Sequence, residues 1–239
     1  MRRRLWKNMR INKYISSCGI CARRKADILI DEGKVEVNGV QIGKGYNVEE
    51  GDNVLVNGKA INGEEHCYFM VNKPLNYLSA ASDERKDVVT SLVKSDSRLF
   101  PVGRLDYDSE GLVILTNDGD FTNRVLHPKY KVVKEYLVVV EGEVNTHTLA
   151  ELESGVMLKK ESTKTLPASF KLKKIKEGKS HVNVKIKEGR KRQIRRMFAL
   201  FGHRTFSLKR IAMGPLRLGT LRSGEYRQIS TKEINKLIN

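Results

Sequence analysis

The sequence is poor in the features that mark secreted or membrane proteins. Its 239 residues include three cysteines, an odd number that makes no disulfide framework. No apolar run approaches the length of a membrane span, and residues 1–8 lack the apolar core of a secretory signal. These absences predict a cytoplasmic protein that does not contact a membrane.

Acidic residues are scarce relative to basic ones. Asp and Glu number 28 against 45 Lys and Arg, so the formal net charge is +17. A charge this large attracts polyanions whatever the fold, and nucleic acid is the expected partner. Residues 66–239 hold 33 basic and 19 acidic side chains, whereas residues 1–65 hold 12 and 9. The alternative is a solvated basic surface without a partner.

The apolar pattern predicts an α+β protein of two domains. Helical spacing indicates two helices before Gly33, and the pairs Asn38-Gly39 and Asn57-Gly58 predict hairpin turns. We place a small helix-hairpin domain at residues 9–63 and a larger domain, with a mixed and mostly antiparallel sheet, at residues 66–239. Residues 1–8 are basic and lack periodicity, which indicates a mobile arm and leaves both Met1 and Met9 open as the start.

Cys18 and Cys21 form a C-x-x-C pair, a pattern found in zinc sites and in redox proteins. The later candidate zinc ligands, His66 and Cys67, are adjacent rather than spaced. The strand-to-helix context of a thioredoxin motif is also missing. We therefore expect buried thiols that behave as small apolar residues, and no metal site.

Residues 100–119, FPVGRLDYDSEGLVILTNDG, place an acidic turn beside a buried strand. The unbroken apolar run at residues 112–115 predicts a core strand, and Asp106 and Asp108 lie in the turn before it. A carboxylate held by a rigid scaffold can act as a nucleophile or a general base. A solvated acidic loop is one alternative. A calcium loop is another, but Asn117 stands where an EF-hand needs a bidentate Glu.

The segment after Gly189 predicts a helix with one apolar and one basic face. Its apolar residues follow the spacing i, i+3, i+4, i+7 and are Ile194, Met197, Phe198 and Phe201. This spacing directs Arg192, Arg195 and Arg196 away from the apolar face. An all-basic face predicts bound phosphate or a carboxylate partner.

Three ordered motifs resemble those of the RsuA/RluB family of RNA pseudouridine synthases. They are G-R-L-D with the downstream S, G-L and L-T-N-D-G at residues 103–119, K-x-Y at residues 134–136, and E-G-x-x-x-Q-I-R-R-M at residues 188–197. Asn72-Lys73-Pro74 resembles the N-K-P segment of the family, although Asn76 replaces a usual glycine. Because Asn tolerates positive φ, we expect that turn to survive.

The resemblance implies a catalytic domain of the pseudouridine synthase type, which isomerises uridine to pseudouridine in RNA. It implies that Asp106 is the nucleophile, with attack on the sugar or on the base left open. It also implies that Tyr136 stacks on the flipped target base and that Arg195 pairs with Asp106. The reaction needs no metal and no cofactor.

The front segment resembles the alpha-L RNA-binding domain of a small-subunit ribosomal protein and of tyrosyl-tRNA synthetases. The match runs through residues 11–15, 19, 22–26, 33–35 and 37–39. Together with the charge pattern, it predicts RNA contacts through exposed cations, with Lys73 displayed at a loop start. The predicted contact residues are Arg23, Arg24, Lys25, Lys73, Arg104, Arg190, Lys191, Arg192 and Arg196.

Ribosomal RNA is the substrate that the resemblance implies, and we expect a monomer. Glu188-Gly189-Arg190 and Leu126-His127-Pro128 resemble the RluB branch, which favours large-subunit (23S) over small-subunit (16S) RNA. A non-catalytic rRNA-binding assembly factor would explain the charge and the front domain equally well. An acid at the centre of a positive surface repels phosphate, however, and so favours the enzyme.

Overall fold

The computed structural model describes residues 8–238, which form two compact units. The first unit contains the described residues through Cys67, together with Ser95–Arg98 and Asn117–Gly119. The second contains Tyr68–Lys94, Leu99–Thr116 and the described residues from Asp120 onward. The basic arm predicted at residues 1–8 lies, except for Asn8, outside the described residues.

The first unit consists of two helices and short antiparallel strands. In chain order they are β1 Met9–Arg10, α1 Ile11–Ser17, α2 Arg23–Asp31, β2 Val35–Val37, β3 Val40–Gln41, β4 Asn47–Val48, β5 Val54–Val56 and β6 Lys59–Ala60. Strands β2–β3 and β5–β6 are joined at Asn38-Gly39 and Asn57-Gly58, where all four residues have positive φ. The helices and hairpins predicted for this segment are therefore confirmed, because Asn-Gly fits the left-handed turn of a tight hairpin.

Cys18 and Cys21 belong to the apolar core of the first unit. Each side chain is 6% exposed and packs with Ile11, Ile15 and Val35 among others. Burial raises the pKa of Cys18 to about 11, which keeps it a neutral thiol near pH 7. The prediction of buried thiols acting as small apolar residues is confirmed.

The second unit contains the remaining strands and helices. In chain order they are β7 Tyr68–Lys73, a 3₁₀ turn Val89–Leu92, β8 Phe100–Pro101, β9 Glu110–Thr116, α3 Gly119–Leu126, a 3₁₀ turn Pro128–Tyr130, β10 Lys134–Glu141, α4 Thr146–Ser154, β11 Ser169–Lys176, β12 Lys179–Ile186, α5 Gln193–Ala199, β13 Thr205–Met213, β14 Leu216–Arg217, β15 Tyr226–Gln228 and α6 Thr231–Ile238. Helix α6 begins with a capping box, in which Ser230 and Glu233 bond reciprocally.

The sheet of the second unit has the order β11-β12-β10-β13-β9-β7-β15, with β14 on β13 and β8 on β9. Every strand pair in it that the described residues form is antiparallel, except the parallel pair of β13 and β9. The predicted fold class, α+β with a small front domain and a mixed, mostly antiparallel sheet, is confirmed. None of the helices within residues 8–238 has the length and apolarity needed to cross a membrane.

One row of residues crosses four neighbouring strands at the middle of this sheet. Lys73 on β7 is opposite Gly111 on β9, Gly111 is beside Arg210 on β13, and Arg210 is opposite Tyr136 on β10. We call Lys73, Gly111, Arg210 and Tyr136 the central row. The apolar core strand predicted at residues 112–115 is β9. Gly111, the member of the central row on β9, therefore lies shortly after the turn that contains Asp106 and Asp108.

Candidate active site

Residues 105–109, which we call the acidic turn, are fixed from several sides. The Ser109 amide donates to the Asp106 carbonyl oxygen at 3.0 Å, which closes the turn. The Ser79 hydroxyl donates to the Leu105 carbonyl at 2.9 Å and accepts from the Leu105 amide at 3.0 Å. The Asn76 amide donates to the Tyr107 carbonyl at 2.9 Å. Such support from neighbouring loops holds a reactive side chain in one geometry.

The predicted left-handed turn at Asn76 is present, with φ of +63°. The turn forms with Asn at this position because Asn occupies the left-handed region at little cost.

Two arginines next to and within α5 hold the other carboxylate of the turn, Asp108. Arg192 donates to it twice, from Nη1 to Oδ1 at 3.0 Å and from Nη2 to Oδ2 at 2.8 Å. Arg195 donates from Nη2 to the Asp108 carbonyl at 2.6 Å and to the Ser109 hydroxyl at 3.3 Å. The hydrogen bonds from Arg192 lower the pKa of Asp108 below its usual value, so this carboxylate is ionised.

Asp106 is the carboxylate of the turn that the protein leaves free. Its side chain is half-buried, and within residues 8–238 it makes neither an ion pair nor a side-chain hydrogen bond. The predicted pair of Arg195 with Asp106 is not formed, because the Arg195 guanidinium is engaged by Asp108, Ser109 and the carbonyl of Thr205. Arg195 therefore fixes the turn that carries Asp106.

The prediction that Lys73 is displayed for RNA is wrong. Its side chain has 0% exposure, and Nζ donates to the carbonyl oxygens of Pro74 and Tyr77, each at 2.8 Å. Burial lowers the pKa of Lys73 to about 8, and the carboxylates of Asp108 and Asp106 partly oppose this shift. Lys73 thus orders the loop after β7 and carries a buried positive charge beside the acidic turn.

Tyr136 lies on the buried face of β10. It is 6% exposed, and its hydroxyl makes no hydrogen bond in the part of the chain that the structure describes. Its neighbour on β13 is Arg210, and Lys134 lies two residues before it on the same face of β10. Tyr136 therefore has two buried cations, Arg210 and Lys134, as neighbours in the sheet.

A basic pocket adjoins the acidic turn at Arg192. Its volume is about 390 Å³, and its lining residues are Lys159, Lys160, Glu161, Lys191, Arg192 and Arg196. Glu161 accepts from Arg196 at 2.8 Å, and this hydrogen bond lowers the pKa of the Glu161 carboxyl. Lys160 and Arg192 both adopt left-handed backbone conformations, with φ of +65° and +51°. Such strain in residues other than glycine is concentrated at functional sites.

The other predicted contact residues fall into two groups. Arg23, Arg24, Lys25 and Arg104 are exposed, as RNA contact requires. Arg190 is committed to the protein, because its guanidinium donates to Glu188 and to the carbonyls of Thr163 and Lys164. Through these hydrogen bonds, Arg190 holds the loop before β11 in place.

The arrangement can support nucleophilic attack by one carboxylate on a base or sugar placed against an aromatic ring. Asp106 supplies the free carboxylate, Tyr136 the ring, and the basic pocket a site for phosphates.

Sequence reasoning missed three parts of this site. Asp108 as the arginine partner could not be distinguished from Asp106 by spacing. Lys159 and Lys160 are distant in sequence from α5. Arg210 did leave a signal, because it alternates with buried Leu208 and Ala212 on β13 and so occupies an inward position.

Comparison with known proteins gives consistent matches. Residues 67–200 match the RNA pseudouridylate synthase family, and residues 9–54 match the S4 domain. The chain is 42% identical over 233 residues to the ribosomal large subunit pseudouridine synthase B of Bacillus subtilis, covering 95% of both chains. It is 36% identical to the dual-specificity RNA pseudouridine synthase RluF of Escherichia coli, covering 95% of this chain and 77% of RluF.

A solved structure agrees with these sequence matches. A crystal structure of a pseudouridylate synthase superposes with a TM-score of 0.70 at 32% identity, covering 96% of this chain and 99% of the other. The likeness therefore extends over both units of the chain.

Proposed function

The chain belongs to the RNA pseudouridylate synthase family, and from this premise we propose that it isomerises specific uridines to pseudouridine in large-subunit (23S) ribosomal RNA. The relative of 42% identity named for the large ribosomal subunit supports the choice of substrate. The single observation that carries the catalytic assignment is the difference between the two carboxylates of the acidic turn. Arg192 and Arg195 engage Asp108, whereas Asp106 is free to react.

The target uridine has to leave the RNA stack before a carboxylate in this turn can reach it. We assign Tyr136 to the flipped base, where aromatic stacking returns about 1–3 kcal/mol of the unstacking cost. Asp106 is the nucleophile, and Arg195 is a positioning residue that acts through the backbone of Asp108. In the isomerisation, the C1′–N1 bond breaks, C5 bonds to C1′, C5 loses its proton and N1 gains one. The transient bond that Asp106 forms, to C1′ or to C6, breaks again before the product leaves.

RNA is held through phosphates by two basic surfaces, one on each proposed domain. The proposed catalytic domain, residues 66–239, offers Lys191, Arg192 and Arg196 in the basic pocket, with Arg104 exposed elsewhere. The proposed RNA-binding domain, residues 9–63, presents three cations in the first turn of α2: Arg23, Arg24 and Lys25. Cations are unfavourable at the positive end of a helix dipole, and a bound phosphate offsets this cost.

The proposal is tested with unmodified 23S and 16S transcripts, on which pseudouridine is mapped by carbodiimide-dependent reverse-transcription stops. Wild type should give new stops in 23S RNA, and Asp106→Asn should give none. Asp108→Asn is the matched control, because it removes the neighbouring carboxylate and should retain measurable activity. Arg195→Ala should lower the maximal rate more than it weakens RNA binding.

Other outcomes identify the alternatives. Stops in 16S RNA alone would show that the substrate is small-subunit RNA and not large-subunit RNA. Tight RNA binding by wild type and Asp106→Asn without any stop, on transcripts and on ribosomal precursor particles, would favour an assembly factor.

We further propose that the protein works as a monomer in the cytoplasm, where ribosomal RNA is made in bacteria such as those of its relatives. Sedimentation at micromolar concentration should give a mass near 27.2 kDa, and a dimer mass would contradict the monomer.

A further inference from the structure

The central row contains a buried arginine whose hydrogen bonds are incomplete. Arg210 is 2% exposed. Its Nε donates to the Leu112 carbonyl at 2.7 Å, and Nη2 is buried with no partner among the described residues. Leaving a buried donor unpaired costs about 1–3 kcal/mol, and more when the group is charged.

The charges around Arg210 do not compensate it. The charged residues buried in the described part of the second unit are Lys73, Lys134 and Arg210, all of them cationic. Burial lowers the pKa of Lys134, the Arg210 guanidinium lowers it further, and the Glu188 carboxylate opposes this shift. A buried guanidinium without an ion-pair partner among the described residues is held at a cost unless a ligand brings negative charge.

The position of Arg210 indicates the chemical class of the ligand that would pair with its guanidinium. Arg210 and Tyr136 are directly opposed on neighbouring strands, which lie about 4.8 Å apart, so both side chains extend from the same face of the sheet. A planar base stacked on Tyr136 brings its carbonyl oxygens to the neighbouring guanidinium. A phosphate is bulky and strongly hydrated, and the exposed basic pocket suits it better than a site of 2% exposure.

The chemistry of the reaction requires such a donor. When the C1′–N1 bond breaks, its electron pair stays on the uracil and the charge spreads over N1, O2 and O4. If Asp106 instead attacks the base at C6, the charge collects on O4. In both routes negative charge develops on a uracil oxygen, and a preorganised donor there lowers the barrier.

We propose that Arg210 is a further catalytic residue, which donates a hydrogen bond from its guanidinium to a uracil carbonyl oxygen of the flipped nucleotide and stabilises the charge that develops there. Lys134 adds to the positive field beneath it. The inference rests on the proposed function and deepens it, since it concerns the same reaction.

The test compares wild type with Arg210→Met and Arg210→Lys in single-turnover reactions on an RNA fragment that contains the target uridine. Arg210→Met should lower the rate constant by about 10²–10³-fold, the usual loss for one such donor. The Kd for RNA should stay within about threefold, because phosphate contacts supply most of the affinity. Arg210→Lys keeps the charge and should lose less. Arg222→Met removes an exposed arginine of the same unit and should be unaffected.

A second substrate separates catalysis from a structural role. In RNA carrying 5-fluorouridine at the target, fluorine withdraws electrons and stabilises the uracil charge without help. The deficit of Arg210→Met, measured as loss of 5-fluorouridine from nuclease digests, should shrink by about tenfold or more. An arginine that only holds the Leu112 carbonyl would give equal deficits on both substrates.

Each outcome decides the matter. A normal rate for Arg210→Met, or equal deficits on the two substrates, overturns the inference. If Arg210→Met shows no cooperative unfolding transition, Arg210→Lys answers the same question by the ratio of its two deficits. If wild type modifies no uridine, both the proposed function and the inference about Arg210 are wrong. If wild type is active and the Arg210 variants are as active as wild type, only the inference about Arg210 is wrong.

Discussion

Lys73 carries a charge in a position with no exposed surface. A neutral lysine amine keeps two N–H groups, which is the number that the carbonyls of Pro74 and Tyr77 accept. The loop after β7 therefore stays bonded when the charge is lost, and the protonation state of Lys73 affects mainly stability and the local field.

This burial predicts an unusual pH dependence of stability. The pKa of Lys73 is about 8 in the folded chain against 10.5 ordinarily, so between these values the unfolded chain binds more protons. The free energy of unfolding of wild type should therefore rise, relative to Lys73→Met, by about 1–3 kcal/mol as the pH increases from 7 to 10. Urea unfolding of both proteins at several pH values measures this difference, and a constant difference would contradict a lowered pKa.

Gly111 allows the close approach of β9 and β13. Its φ is +109°, and a Cβ built there would lie 2.3 Å from the Arg210 carbonyl oxygen. Gly111→Ala should therefore cost more than about 2 kcal/mol in the free energy of unfolding. Gly219→Ala is the control, because Gly219 has φ of +61° and open space around it. Equal losses in the two variants would mean that backbone strain alone, without the contact, explains the effect.

The residues of the site were predictable to different degrees. Asp106 can be proposed from the sequence because a charged turn beside a buried run is a local pattern. The partner of Arg195 cannot be predicted from the sequence, since choosing between Asp106 and Asp108 needs the angle at which α5 meets the turn. For Lys73, the following Pro74 predicts a side chain displayed at a loop start, whereas the lysine stem turns inward to reach two carbonyls.

At the scale of elements, local chemistry predicted most of the structure. The Asn-Gly pairs form their hairpins, and α5 buries Ile194, Met197 and Phe198. These features depend on spacing and on backbone freedom, which the sequence displays directly. The attachment of α5 to the acidic turn depends on pairs more than 80 residues apart, and no local rule supplies it.

The contact between Arg192 and Asp108 should affect the rate more than stability. Both side chains are more than 40% exposed, and exposed pairs contribute about 0–1 kcal/mol to folding. Arg192→Met and Asp108→Asn should each slow pseudouridine formation, and the double variant should be little slower than the worse single one. The double-mutant cycle on single-turnover rates measures this coupling, and fully additive losses would show that the two residues act independently.

On the scale of the whole molecule, the net charge of +17 predicts RNA binding that weakens steeply with salt. Each phosphate contact contributes about 0.7 to the slope of log K against log salt for single-stranded RNA. Replacing Lys159, Lys160 and Lys191 in the basic pocket by Gln should lower that slope by about 2. Replacing exposed Lys171, Lys173 and Lys174 on the edge strand β11 removes equal charge and should change the slope less. Equal slopes for the two triple variants would argue against the pocket.

The family and the α+β class followed from the sequence, because ordered motifs and apolar periodicity cover nearly the whole chain. The strand order did not, since β9 pairs with β7 and β13 on its two sides, and those partners are about 40 and 100 residues away. Long-range pairing of this kind is set by the whole chain and has no short signature.

The parallel pairing of Glu110 and Gly111 with Lys209 and Arg210 has a consequence for synthesis on the ribosome. The acidic turn leaves the exit tunnel some 100 residues before the strand that completes the central row. At about 5–20 residues per second, this interval lasts roughly 5–20 seconds. During that time the nascent chain outside the tunnel contains the acidic turn but lacks the strand that completes the central row. The central row is therefore completed only after β13 has left the tunnel.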